Sequence, residues 1–311
     1  MMNNVHDDIE YTTLPAIPAL AKEYRKVAVD RVPGVGKKRS GKSDPTRGFA
    51  VVGVRVDSDN LAAYNQAVGF RTSNQLPLTY PFVLGFPLVI HTMSQPDFPF
   101  AAMGAVHISN SIEQRRAIGV DEEFSLLVHA TNLRAHRKGL LIDLVTEVVI
   151  DDEPVWIQTS TFLGLGARLD AKADTSVVDR GEQRGINLGE AVLPKKVAQT
   201  AQWKVTRADI DAYAAASGDR NPVHTSTLGA KAFGFPGVIA HGMYTAAKML
   251  TLLEGRVDGH VRHTVDFARP VVVPAKISCW AIRSEDGFWD LQVRKTKDSE
   301  KVHAHATVEQ L

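Results

Sequence analysis

Gly218-Asp219-Arg220-Asn221-Pro222-Val223-His224 sets a carboxylate and an imidazole five positions apart on one bend. Pro222 fixes its own φ and pushes Asn221 out of the α region, while Gly218 allows a sharp entry. The segment therefore reads as a rigid turn that cannot be helical, with directed side chains that can grip one water between them. Taken singly, the residues say less. Asp219 and Asn221 are ordinary turn formers, and a lone histidine is more often structural than catalytic. Five specified residues at fixed spacing are different, because average usage of about 5 to 7 per cent per residue makes a chance match improbable.

The surrounding chain has 311 residues, 44% hydrophobic and 23% charged, with a net charge of +1. Such a composition is globular, and the length suggests about two domains of ordinary size. Near-neutral charge argues against nucleic acid as a partner. The single cysteine, Cys279, excludes an intramolecular disulfide framework, and in the strand-like run Ile277-Ser278-Cys279-Trp280 it reads as a packed thiol. No apolar run approaches the roughly 20 residues of a membrane span, and the acidic start from Met1 to Glu10 is unlike the head of a signal peptide. A cytoplasmic protein without membrane attachment is expected.

A shift of 149 positions lays Val56 to Tyr64 over Val205 to Tyr213, Gly69 over Gly218, Arg71 over Arg220 and Gly85-Phe86-Pro87 over Gly234-Phe235-Pro236. From Val56 to Ile90 there are 11 identities in 35 ungapped pairs, where average composition predicts about two. The chain thus reads as two copies of one domain. In the first copy Phe70 stands at the position of Asp219, Ser73 at that of Pro222 and Gln75 at that of His224. Ala240-His241-Gly242 opens an apolar run from Met243 to Leu253 that reads as a buried helix. Its counterpart contains Pro96 and Pro99, which predict a short or broken first-copy helix.

Strand-rich tails follow each helix, at 105–111, 123–133, 139–151 and 155–163, and at 261–267, 275–283, 288–295 and 301–308. The expected organisation is an extension at 1–48, a degenerate domain at 49–170, a polar linker at 171–199 and a catalytic domain at 200–311. Gly36-Lys37-Lys38-Arg39-Ser40-Gly41-Lys42-Ser43 matches a phosphate-loop pattern, but the mechanism needs a helix beginning there, and Pro45 disfavours helix at Asp44. A solvated basic loop is the expected reading; attraction of an anionic substrate tail is the alternative.

Asp219 and His224 can orient a water and exchange a proton with it. The start of the apolar helix offers N–H donors to a developing enolate oxygen, and Gly242 lets substrate approach that backbone. Acid, base and oxyanion donor together imply addition or elimination of water across a carbonyl-activated double bond. The histidines His241, His260, His263, His303 and His305 lack a convincing metal-ligand set, and no cofactor is expected. His241 reads either as a ligand contact or as a cap-region side chain.

Tyr213-Ala214-Ala215-Ala216-Ser217-Gly218-Asp219-Arg220-Asn221-Pro222-Val223-His224, followed by Phe235-Pro236-Gly237-Val238-Ile239-Ala240-His241-Gly242, resembles the MaoC-like dehydratases, which include the (R)-specific enoyl-CoA hydratases. Leu76 to Pro81 and Ala105 to Ile108 are similar to the first half of two-domain members. The resemblance implies an α+β double hot-dog, each half an antiparallel sheet wrapped round a central helix. It also implies Asp219 and His224 as the catalytic pair, the Gly242 N–H at the thioester oxygen, and Ser217, Asn221 and His241 as substrate-binding surroundings. Asn221 would orient the turn or the catalytic water. The implied partner is an acyl-CoA or acyl carrier protein thioester, and pairing into a homodimer is compatible with the fold. The first half would be an acyl-binding shell. A thioesterase and a noncatalytic thioester binder are the alternatives on the same fold.

Overall fold

A computed structural model describes residues 9–29, 39–183 and 197–311. In chain order it contains β1 (Glu10–Thr13), α1 (Leu20–Val29), β2 (Arg47–Val54), α2 (Ser58–Val68), α3 (Tyr80–Met93), β3 (Val106–Gln114), β4 (Phe124–His136), β5 (Gly139–Ile150), β6 (Glu153–Leu165) and α4 (Thr175–Val178). There follow β7 (Ala201–Val205), α5 (Arg207–Ser217), α6 (Pro222–Thr225), α7 (Thr227–Ala232), α8 (Gly242–Leu250), β8 (Val261–Phe267), β9 (Ala275–Arg283), β10 (Trp289–Lys295) and β11 (Asp298–Gln310). No helix among the described residues is long and apolar enough to cross a membrane.

Two compact units interleave along the sequence. The first holds the described residues of Met1–Arg55, Leu84–Asn110 and Glu122–Gly185; the second holds those of Val56–Val83, Ser111–Asp121 and Ile186–Leu311. In the first, β1 runs parallel to β2, and β2, β4, β5 and β6 pair antiparallel in that order. α3 lies on this sheet: a Cβ at Gly85 would come within 2.7 Å of Thr146 Cγ2 on β5, and the Phe49 ring of β2 meets His91 edge-on at 4.5 Å. In the second unit β8, β11, β10, β9 and β7 pair antiparallel in that order. Along β8, Val261, His263 and Val265 are buried while the residues between them are not, the period-2 pattern of a sheet with one covered face.

The second unit contains both matched helices, α2 and α5. Asp57 caps α2 by accepting from the N–H groups of Asp59 and Asn60, and Thr206 with Asp209 forms a capping box on α5. Both helices end on a glycine in the left-handed region, Gly69 at φ 98° and Gly218 at φ 72°. α8 buries Met243, Tyr244, Thr245, Ala246, Ala247, Met249 and Leu250, and each large apolar side chain so buried contributes about 1.5–3 kcal/mol. Its one charge, Lys248, donates from Nζ to the Val68 carbonyl at 2.6 Å and lies 5.9 Å from the Trp203 ring centroid. The lysine thus satisfies the end of α2 instead of standing unpaired in the core.

Several expectations are corrected. The first-copy helix is neither short nor broken: α3 has 14 residues and ends at Met93, before Pro96 and Pro99. Pro87 lies inside it without ending it. The 149-residue shift holds for α2 and α5 but not beyond. Gly85-Phe86-Pro87 is inside α3, whereas Gly234-Phe235-Pro236 precedes α8, because the second copy inserts α6 and α7 before its long helix. The turn expected to be non-helical contains one helical turn, α6, with Asn221 as its cap and Pro222 at N1, where a missing N–H costs nothing. Residues before the first copy carry β1 and α1. Lys37 and Lys38 of the basic loop and residues 184–196 of the expected linker lie outside the described residues. In the described part of the loop, Arg39 donates to the carbonyls of Ser94, Gln95 and Phe98, Ser40 donates to Asp170, and Gly41 bridges Leu169.

His263 is fully buried with neither ring nitrogen hydrogen-bonded, and burial lowers its pKa to about 4. Its folded pKa lies below the unfolded value of about 6.5. The unfolded chain therefore binds more protons between the two values, and stability present above pH 6.5 is lost as pH falls toward 4. His263→Leu should shrink the stability difference between pH 7.5 and pH 5 by about 2 kcal/mol in urea unfolding; an unchanged difference would contradict this account.

Candidate active site

The acid and the imidazole are held by main-chain bonds on every side. Ser217 Oγ donates to the Tyr213 carbonyl at 2.7 Å and accepts from Asp219 N at 3.3 Å, which carries the chain from α5 into the turn. Asp219 Oδ1 accepts from Asn221 N at 3.1 Å, and Asn221 Oδ1 accepts from Val223 N at 3.3 Å. These are the local Asx bonds that Asp and Asn form in place of longer secondary structure. The side chains of Ser217 and Asn221, expected as substrate contacts, are thus both engaged in building the turn.

His224 lies on α6. Its Nδ1 is 2.8 Å from the Ile239 carbonyl, so Nδ1 carries the proton and donates, leaving Nε2 with a lone pair. Burial lowers the His224 pKa, opposed by the Asp219 charge and by the Ile239 carbonyl. The imidazole is neutral at neutral pH and available as a base.

His241 is 3% exposed and occupies the cap position of α8 without capping it. Its Nε2 donates to the Asp219 carbonyl at 3.0 Å; the Asp219 carboxylate Oδ2 is farther, at 3.8 Å. Its ring stacks on His224, centroids 3.8 Å apart and planes at 29°, and its other neighbour is Tyr213 at 4.9 Å. Burial pushes the His241 pKa down to about 3, helped by His224 and opposed by Asp219. Tyr213 is buried, and burial holds its phenol protonated.

α8 begins at Gly242, where the first-turn N–H groups have no partner within the helix and carry the positive end of its dipole. A Cβ at Gly242 would stand 3.1–3.2 Å from the Phe267 ring, so glycine lets that ring and the start of α8 lie this close without distortion. Asp219, His224 and His241 also offer ligand atoms within 4.8 Å of one another, as a metal site would. The two rings, however, stack on each other instead of opposing across a gap, and one nitrogen of each already donates to a carbonyl. A tetrahedral ion needs nitrogens converging at about 2.0–2.1 Å.

Sequence reasoning named Asp219, His224, Gly242, Ser217, Asn221 and His241, and all six fall in the second unit. It did not find the Ile239 carbonyl, because a backbone acceptor leaves no residue-type signal. Tyr213 beside His241 and Phe267 beside Gly242 are contacts that only the fold brings about.

Asp219, His224 and His241 thus gather beside the N-terminus of α8. Residues 190–306 match the MaoC-like domain family. The chain is 44% identical over 250 residues to 3-hydroxyacyl-thioester dehydratase X of Mycobacterium tuberculosis, covering 80% of this chain and 85% of that protein. The crystal structure of that organism's HtdX superposes with a TM-score of 0.72 at 41% identity, covering 85% of this chain and all of the other. A MaoC-like dehydratase from Phytophthora capsici shares the fold at 17% identity and a TM-score of 0.65, covering 86% and 96%. A M. tuberculosis protein described as a double hot-dog does so at 14% and 0.53, covering 87% and 96%. The chain belongs to the MaoC-like dehydratase family and has its double hot-dog fold.

Nitrogen-15 NMR of histidine-labelled protein at neutral pH should show His224 as the Nδ1–H tautomer and His241 as the Nε2–H tautomer. The opposite tautomer on His224 would break the assignment of Nε2 as the base.

Proposed function

We propose that the chain is a hydro-lyase that reversibly interconverts (3R)-3-hydroxyacyl and trans-2-enoyl thioesters of coenzyme A or acyl carrier protein, in the cytoplasm. The observation that carries this reading is the 2.8 Å approach of His224 Nδ1 to the Ile239 carbonyl, an acceptor that commits Nδ1 as donor and leaves the lone pair on Nε2. The chain's similarity to the 3-hydroxyacyl-thioester dehydratase X of M. tuberculosis supports it.

In hydration, Asp219 and His224 hold a water. His224 Nε2 takes a proton as the oxygen bonds to C3, electron density moves through C2 to the thioester oxygen, and the Gly242 N–H stabilises that enolate-like charge. A proton from the acid–base pair then reaches C2. Dehydration is the reverse. Because the two groups interact, the pH dependence belongs to the pair. Its acid limb is set by a depressed imidazole, so kcat/KM should fall only as pH drops below about 6.5.

Asp219→Asn and His224→Ala should each lower kcat by about 10²- to 10⁴-fold with a much smaller change in KM, followed by loss of the conjugated enoyl absorbance. Near-normal turnover in either variant would defeat the roles assigned here. Release of free thiol without loss of conjugation would point to thioester hydrolysis instead.

A further inference from the structure

His241 touches both members of the acid–base pair. Its Nε2–H bonds the main-chain carbonyl of Asp219 at 3.0 Å, and its face lies 3.8 Å from that of His224. Tyr213 backs the ring at 4.9 Å, and only 3% of the residue is exposed. A side chain at the head of a helix would ordinarily accept from the first-turn N–H groups, as Ser, Thr, Asp or Asn do; His241 makes no such bond.

We propose that His241 is a positioning residue and not a substrate ligand: one side chain fixes the acid through its backbone and the base through its ring plane. The inference rests on the hydration reading and refines it. Two separate contacts do two separate jobs. The donor to Asp219 O sets where the turn leaves α5. The stack sets the rotation of His224 about the axis that its Ile239 bond leaves unfixed. The depressed His241 pKa agrees with this role, since a neutral ring can stack on His224 without adding a second cation to the site.

The contacts can be removed one at a time. His241→Gln keeps an N–H for Asp219 and removes the ring; His241→Phe keeps a ring for His224 and removes the donor. In steady-state hydration of an enoyl-CoA series, each should lower kcat on the order of ten- to a hundred-fold, the cost of a small misplacement of reacting groups. KM, and the Kd of an unreactive saturated thioether analogue, should stay within about two-fold. Unchanged kcat in both variants overturns the proposal, and so does a more than ten-fold rise in KM and Kd at preserved kcat, which would mark a substrate ligand. Inactivity of the unaltered protein toward these thioesters would sink the hydration reading itself, a separate outcome. Circular dichroism melts check that the variants fold. If neither does, titrating the analogue into histidine-labelled unaltered protein decides: His224 resonances should move and those of His241 stay, and equal movement of both overturns the proposal.

Discussion

The hydrogen bond from His224 Nδ1 to the Ile239 carbonyl fixes which ring nitrogen of His224 keeps a lone pair. It chooses the tautomer, and a neutral imidazole with the proton on the other nitrogen would offer no base. The bond is not alone: Ile239 N returns a bond to the Val223 carbonyl, so turn and connector clasp each other. The connector is itself pinned, since Ala240 N bonds Val271 O, Val273 N bonds Val238 O and Ile239 bridges Val272. A short stretch of β-like pairing thereby converts a surface turn into a fixed platform. Electrostatic preorganisation of this kind costs no reorganisation when charge develops.

The helix leading into the turn is fixed by residues of the first sequence copy. Asn60 Nδ2 donates to the Ala216 carbonyl at 2.9 Å, and Asn60 Oδ1 accepts from the buried Tyr80 hydroxyl at 2.9 Å. Reciprocally, Lys248 of the second copy satisfies Val68 at the end of α2. Each matched helix thus has a last-turn carbonyl answered by a side chain from the other copy, a cheaper solution than leaving it buried and unpaired. Since α2 shares its compact unit with α5 and α8, sequence duplication and compact unit are different divisions of this chain.

The parts legible in the sequence were those written in side-chain type and period. Strands β8 and β9 have the bounds that alternation and β-branched content set, and α8 begins one residue before the apolar run. The 149-residue spacing laid Val56 to Tyr64 over Val205 to Tyr213 and so paired α2 with α5, although nothing in that match marked either as a helix. Two misreadings have physical causes. Pro222 was given its helix-breaking role, although at N1 it starts a turn as readily as it stops one. Gly85-Phe86-Pro87 looked equivalent to Gly234-Phe235-Pro236, yet Pro87 is accommodated within α3; identity at a fixed offset cannot see an inserted pair of short helices. The stacking of His241 on His224 was hidden because the residues are 17 apart and meet only after the connector folds back.

The same geometry explains why the first copy lacks more than an acid and a base. Gln75, at the position of His224, is not on a helical turn: its backbone bridges Gly119, while Leu76 N bonds Ile118 O and Val120 N bonds Asn74 O. The segment is extended, and from Gly69 the chain reaches α3 at Tyr80 with no insertion like α6 and α7. An imidazole placed at position 75 would have no folded-back connector to supply its carbonyl and no stacked ring to fix its plane. Phe70, at the position of Asp219, lies 6.3 Å from Tyr64 in a stacked arrangement and belongs to the apolar packing of α2. Restoring the two side chains would therefore not rebuild the arrangement seen around Asp219 and His224, which depends on the length and pairing of the connector as much as on those two residues.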